Sequence, residues 1–147
     1  MVELREITEV NFMDCISLSV YDTQKEFVAT NLYSLAQAWV YYDTAYPFAI
    51  YSDNVMVGFI MLGYYELKGV YTVWRFMIDR KFQNKGYGKE ALLLAIDFLK
   101  NKFNISEVYL AYNQDNYVAE KLYESVGFTQ TGEIIDEEIE MRLIIND

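Results

Sequence analysis

The chain reads as a mixed α/β (α+β) protein built around one sheet, and three observations predict this. Val70–Ile78 is dense in β-branched and aromatic residues, the composition of a strand. The segment from Gly86 to Lys102 and on to Phe103 places Leu92, Ala95, Ile96, Leu99 and Phe103 at the i, i+3, i+4, i+7 spacing of an amphipathic helix. Strand-like and helix-like segments alternate on both sides of these two, an order that suits helices packed on a single sheet. With 147 residues, 53% of them hydrophobic, the chain has the size and apolar content of one domain spanning 1–147.

The elements follow in order. Val2–Ile7 is a short strand. Asn11–Val20 is a helix that would bury Phe12, Cys15, Ile16 and Leu18. Thr30–Tyr42 is a second helix, in which Leu32, Leu35, Ala36 and Trp39 fit helical spacing. Phe48–Tyr51 and Val55–Leu62 flank the polar turn Ser52-Asp53-Asn54 and form a hairpin. The break at Glu66-Leu67-Lys68-Gly69 leads into the strand Val70–Ile78. After the long helix come a strand at Ser106–Ala111 and a helix capped by Asp115 or Asn116 and closed by Gly127. Phe128–Thr131 and Glu138–Ile144 are the last strands. Glu133–Glu140, with five acids in eight residues, reads as a solvated loop and strand edge that could steer cations.

Composition excludes several chemistries. There is no histidine, which rules out Ser-His-Asp and Cys-His nucleophile systems and a histidine-ligated zinc. Cys15 is the only cysteine, so neither an internal disulfide nor a cysteine metal site is expected, and it reads as core. No apolar run approaches the roughly 18–20 residues of a membrane span, and no basic stretch leads into an apolar one at the N-terminus. A cytoplasmic protein with no membrane partner is the expectation. Exposed strand edges and many aromatics permit a homodimer.

The formal net charge of −10 argues against a nucleic-acid partner, which needs a basic surface, and favours cationic ligands. The basic residues are not evenly spread. Arg75, Arg80, Lys81, Lys85 and Lys89 lie close together, with Asp79 the one acid among them. A local positive site in an acidic chain suggests a bound anion such as phosphate.

That cluster surrounds Gln83-Asn84-Lys85-Gly86-Tyr87-Gly88-Lys89, a glycine-bearing turn between a strand and a long helix. The first amides of a helix lack intrahelical partners, and the helix dipole makes that end positive. Glycines let the backbone approach an anion closely, so the turn is a candidate pyrophosphate cradle. It lacks the Walker spacing and the third glycine of a dinucleotide fingerprint. Nucleotide binding at this turn is one reading of it.

Gln83-x-x-Gly86-x-Gly88 resembles the Gln/Arg-x-x-Gly-x-Gly/Ala motif of the GNAT family of N-acetyltransferases. Asn116-x-x-Ala119-x-x-Leu122-Tyr123-Glu124-x-x-Gly127-Phe128 is similar to that family's second signature, about 30 residues on. The resemblance covers nearly the whole chain. It implies a GNAT-like acyl-CoA N-acyltransferase fold: a single mixed, mostly antiparallel twisted sheet with helices on both faces. Residues 1–69 would form mainly the acceptor side, 70–131 the acetyl-CoA side and 132–147 the C-terminal strand. It also implies acetyl-CoA (coenzyme A) as co-substrate, without a metal, and direct attack of an amine on the thioester.

Site roles follow from the same resemblance. The backbone of Phe76, Met77 and Ile78 would pair with the pantetheine arm, with the Ile78 amide facing the thioester oxygen. Asn84, Lys85, Gly86, Tyr87, Gly88 and Lys89 would hold the pyrophosphate, with Gln83 opening the motif. Asn116 would hydrogen-bond the cofactor, and Tyr123 would sit near the sulfur and protonate it. Helical spacing independently places Asn116, Ala119 and Tyr123 on one face. Family members often carry a glutamate base on the strand before the turn. Here that neighbourhood is Trp74-Arg75, so the proton is expected to leave by a water-mediated route to a carboxylate elsewhere or to backbone carbonyls.

For the acceptor, Phe27–Trp39, Pro47–Tyr51 and Trp74–Asp79 are similar to the corresponding stretches of bacterial spermine/spermidine (diamine) acetyltransferases. A polyamine needs carboxylates spaced along an apolar channel with aromatic faces over the cations. Asp22, Glu26 and Asp43 lie among Tyr21, Tyr33, Trp39, Tyr41 and Tyr42 and are the candidate substrate-binding residues, Asp22 and Glu26 being spaced to share a helix face. A small polycationic amine such as spermidine or spermine is the expected partner. A peptide N-terminus or an amino sugar as acceptor, and a non-catalytic acyl-CoA-binding protein, are the alternatives.

Overall fold

The computed structural model describes residues 1–145. Seven strands form one sheet: β1 (Val2–Glu6), β2 (Tyr46–Ser52), β3 (Val55–Tyr65), β4 (Val70–Ile78), β5 (Glu107–Asn113), β6 (Thr129–Ile135) and β7 (Glu138–Ile144). Their order is β1-β2-β3-β4-β5-β7-β6. All neighbours are antiparallel except β4 and β5, which run parallel. A parallel pair needs a crossover, and α3 (Tyr87–Phe103) supplies it. The remaining helices are α1 (Phe12–Ser17), α2 (Asn31–Val40) and α4 (Tyr117–Val126). The last two residues of the expected C-terminal segment 132–147 lie outside the described residues.

Alternation along the strands builds a core on each face of the sheet. Ile50, Ile60 and Leu62 join Leu92, Ala95 and Leu99 of α3 and Tyr123 of α4 in one cluster. The intervening residues Ala49, Phe59 and Met61 join Cys15 of α1 and Ala38 of α2 in the other. Helices therefore cover both faces, as the GNAT resemblance implied. Among the described residues, no helix is long and apolar enough to cross a membrane.

Local chemistry sets several boundaries. Asp53 and Asn54 both have positive φ (48° and 69°), the two-residue hairpin geometry that matches strand twist. Thr30 caps α2 by accepting from the Tyr33 amide. Asn116, not Asp115, caps α4, and Gly127 ends it in the left-handed conformation at φ 115°. The helix expected over Asn11–Val20 stops at Ser17, because Leu18 turns extended and the chain is then tied to the end of β4. The Ser19 amide donates to Asp79 Oδ2 at 2.8 Å, and the Arg80 amide donates to the Ser19 carbonyl at 2.9 Å.

Two sequence expectations are corrected here. Helix α2 buries less apolar surface than its spacing suggests: Leu35 packs against the second core, but Leu32, Ala36 and Trp39 are exposed, and Asn31, Ser34 and Ala38 face inward. Polar anchoring sets this rotation, since Asn31 Nδ2 donates to the Cys15 carbonyl at 2.9 Å. The acidic stretch Glu133–Glu140 is exposed at half its positions and includes part of the edge strand, as expected, but more of it is strand: it is the β6–β7 hairpin, with Asp136 and Glu137 alone at its turn (φ 49° and 70°). Glu140 is only 3% exposed, and Lys68 Nζ donates to it at 2.9 Å.

Candidate active site

Strand β4 carries a bulge. Met61 of β3 pairs with Arg75 and Leu62 with Val73, leaving Trp74 as the extra residue. A bulge bends its strand and increases local twist. On its other edge, β4 meets β5 only at Thr72–Tyr109 and Val73–Leu110. Beyond Val73 the two strands part, while β5 stays paired with β7 throughout. The result is a wedge between Trp74–Ile78 and Ala111–Asn113, whose β4 backbone has no strand partner on that side.

Helix α3 starts at the open end of this wedge. The Asp79 carboxylate, 6% exposed, holds the approach by accepting from the Ser19 and Lys81 amides. Gln83 Nε2 donates to the Ile78 carbonyl at 2.9 Å and to Gln24 Oε1 at 2.9 Å, stapling the turn to β4 and to the loop after α1. Asn84 (φ 64°) and Gly86 (φ 85°) are left-handed. Among the described residues, none of the backbone amides of Asn84 through Lys89 donates to a protein acceptor. The space where a Gly86 side chain would begin is empty to 4 Å. Free amides, a helix N-terminus and open space form a cradle for a diphosphate. Gly88 serves a different need, since its Cβ would meet Phe76, Leu122 and Ile78 at 3.4–3.6 Å.

A cavity of about 680 Å³ runs from the cradle into the wedge. Of the residues expected at the cofactor, Phe76, Met77, Ile78, Gln83, Asn84, Gly86, Tyr87, Gly88, Lys89, Asn116 and Ala119 line it, as does Tyr123. Lys85 is outside this lining and is exposed. Asn116 spends its side-chain oxygen on the Ala119 amide at 3.3 Å, so it acts in this structure as the cap of α4.

Tyr123 is 7% exposed and packed among Phe76, Tyr112 and Phe128, with centroids 6.0–6.5 Å away. Burial pushes its phenol well above the ordinary value, and the nearby Glu138 carboxylate adds to the shift. The phenol therefore stays protonated. Cys15, fully buried beneath α2, has its thiol pushed up to about 11 by burial alone and is inert as a nucleophile.

A second cavity, of about 590 Å³, lies against the other side of the wedge. The two share Val73, Trp74, Arg75, Ala111 and Glu138. Its lining includes Tyr41, Tyr64 and Tyr65 with the carboxylates of Glu66, Asp136, Glu138 and Glu140. Arg75 stands at the junction, donating to Gln37 Oε1 at 2.7 Å and to the Trp74 carbonyl at 3.1 Å. Burial lowers its pKa, and Glu138 opposes that shift.

The candidate acceptor residues are not brought together. Asp22 lies in a 3-10 turn over Asp22–Gln24, exposed and paired with Lys25 Nζ at 2.9 Å, so it shares no helix face with Glu26. Glu26 lines the first cavity, and Asp43 is exposed outside both. Glu138 was missed as a site residue. Its signal was present but weak: it is the first residue of a strand pattern, inside an acidic run that looked like solvated surface.

Residues 6–128 match the family model described as Acetyltransferase (GNAT) family. The chain belongs to that family. A spermine/spermidine N(1)-acetyltransferase from Bacillus subtilis (strain 168) is 30% identical over 141 residues, 90% of this chain and 91% of that protein. Among solved structures, an aminoglycoside acetyltransferase in complex with coenzyme A superposes with a TM-score of 0.81 at 14% identity, over 98% of this chain and 95% of that one. A spermidine N-acetyltransferase from Vibrio cholerae, in complex with coenzyme A and spermine, gives 0.76 at 16% identity, over 97% and 95%. At those identities the likeness concerns the fold. This GNAT chain is an acetyl-CoA-dependent N-acetyltransferase, and its unpartnered amides and splayed strands fit the cofactor. Among the described residues, no group of three His, Cys, Asp or Glu side chains is placed to hold a metal.

Proposed function

We propose that this acetyltransferase acetylates a primary amine of a small polycation, spermidine or spermine being the best candidates, in the cytoplasm. The observation that carries the reading is the second cavity: the carboxylates of Glu66, Asp136 and Glu138, beside a Glu140 already paired with Lys68, and several aromatic faces at the wedge where the thioester would lie. Carboxylates pair with ammonium groups, and aromatic faces attract cations. The chain's net charge of −10 draws such substrates in. The 30% identity to a spermine/spermidine acetyltransferase supports the same choice.

In this reading the Asn84–Lys89 amides take the diphosphate, with Lys85 and Lys89 adding positive potential. The β4 edge at Phe76–Ile78 takes the pantetheine arm, and the Ile78 amide polarises the thioester oxygen. Asn116 and Ala119 flank the arm from α4. Tyr123 protonates the departing sulfur. Glu26, on the cofactor side, and Asp22 and Asp43, on the surface, act on the amine only through their field. The test is an amine panel at saturating acetyl-CoA. Spermidine and spermine should give the highest kcat/KM, and preference for an aminoglycoside or a peptide N-terminus would overturn the choice of acceptor.

A further inference from the structure

An alkylammonium, with an ordinary pKa near 10.4, must lose a proton before it can attack a thioester. The base must reach the amine and the reacting carbon together. Strand β4 offers no acid between Val70 and Ile78, and the Asp79 carboxylate is committed to two backbone amides. Glu26 lines only the cofactor cavity, and Glu66, Asp136 and Glu140 line only the second. Among the described residues, Glu138 is the one carboxylate in both linings. Lys68 is shared by Glu133 and Glu140, and among the described residues it makes no ion pair with Glu138. We propose that Glu138, held on β7 at the junction of the two cavities, is the group that takes the proton from the acceptor amine. This rests on the amine-acetylation reading above.

The proton inventory closes. The ammonium gives one proton to the Glu138 carboxylate, and the freed lone pair forms the N–C bond as the C–S bond breaks. The nitrogen's second proton replaces the one that Tyr123 gives to the leaving sulfur. Glu138 returns its proton to solvent through the second cavity, so each turnover releases one. The groups facing Glu138 are Arg75 from β4, Tyr123 from α4 and Asp136 from its own hairpin turn. Its strand partners, Asn113 on β5 and Ile135 on β6, carry no charge. Burial raises the Glu138 pKa most, Arg75 pulls it back and Asp136 adds a smaller rise, leaving it above the usual carboxylate range. A base so shifted is better matched to an alkylammonium.

The test measures steady-state rates of Glu138→Gln with spermidine from about pH 4 to 10, spanning the ordinary carboxylate and amine ranges, together with coenzyme A affinity and Tm. The variant should lose about 10²-fold in kcat and the acid limb of the wild-type profile, recovering in part at high pH where the amine is free without help. Coenzyme A affinity and Tm should not change. A variant with wild-type kcat and profile overturns the proposal, and so does one in which only KM rises, which would make Glu138 an anchor. Glu138→Asp keeps the charge on a shorter arm and should retain part of the activity and the acid limb, so it carries the test if the Gln variant unfolds. Wild-type enzyme acetylating a different amine would sink the polyamine choice alone, and Glu138 would be scored on that amine. Wild-type enzyme inactive on every amine overturns both.

Discussion

Val73 pairs with Leu110, and it is the last residue of β4 to pair with β5. One residue later Trp74 bulges out of register with β3. The same short stretch therefore ends one ladder and bends the other. Both cavities open at this point, and Arg75 and Glu138 look into each.

Gly86 tests the cradle. Its φ of 85° costs an alanine about 1–2 kcal/mol, while its Cβ would meet no protein atom within 4 Å. Gly86→Ala should fold with a lowered Tm and lose at least about tenfold in coenzyme A affinity, or ~1.4 kcal/mol. Calorimetric titration reads the affinity directly. Affinity equal to wild type would mean that the diphosphate sits elsewhere.

Tyr123→Phe separates chemistry from packing. Among the described residues the phenol oxygen gains no hydrogen bond, so its loss should change stability by less than about 0.5 kcal/mol. Turnover should fall by about 10²-fold with coenzyme A affinity intact. The raised phenol pKa keeps the proton in place through neutral and mildly alkaline pH, so no alkaline decline of wild-type activity in that range should vanish in the variant. Single-turnover rates with pre-bound acetyl-CoA are the measurement, and an unchanged rate removes Tyr123 from the acid role.

The legible parts of this chain were those decided within a few residues. The apolar spacing of α3, the positive-φ turn at Asp53-Asn54 and the glycine turn before α3 are local facts, and the structure has them in place. What escaped depends on distant partners. Nothing near Leu32 or Trp39 says that Asn31 will bond to Cys15 and turn those side chains outward. Nothing near Glu140 says that Lys68, far away in sequence, will pair with it and let one carboxylate of an acidic run be buried in a strand. With Glu133 and Glu140 paired off, Glu138 stood out only when β4 and β5 were seen to part.

Lys68 tests that pairing. It is bonded to Glu133 and Glu140, and Thr131 Oγ1 donates to Glu140 at 2.8 Å. Lys68→Met would strand the buried Glu140 carboxylate. The expected loss is about 2 kcal/mol, less than a fully buried pair would lose, because the Lys68 side chain is 30% exposed and screened. The pH dependence has a definite sign. Lys68 lowers the Glu133 pKa, so that contribution is present above about pH 4.3 and is lost as pH falls through the depressed folded value. Urea melts of wild type and variant from about pH 3 to 7 should converge at the acid end. A constant gap across that range would contradict the pairing.

Gly58 tests whether the position of β4 matters to the chemistry. A Cβ there would lie 2.4 Å from the Met77 carbonyl oxygen and 2.9 Å from Ile78 Cδ1. A backbone oxygen cannot yield as a flexible side chain can, so β4 must move away from β3. Gly58 pairs with Ile78, and the Asp79 amide donates to the neighbouring Val57 carbonyl at 2.8 Å. The movement would therefore fall on the strand end that lines the wedge. Gly58→Ala should cost about 1–3 kcal/mol, the range for overpacking, and lower kcat more than coenzyme A affinity, because the diphosphate amides lie beyond Gln83. Equal losses in both would mean that the variant is simply less folded, and wild-type kcat would show that the exact placement of Met77 and Ile78 is not needed for transfer.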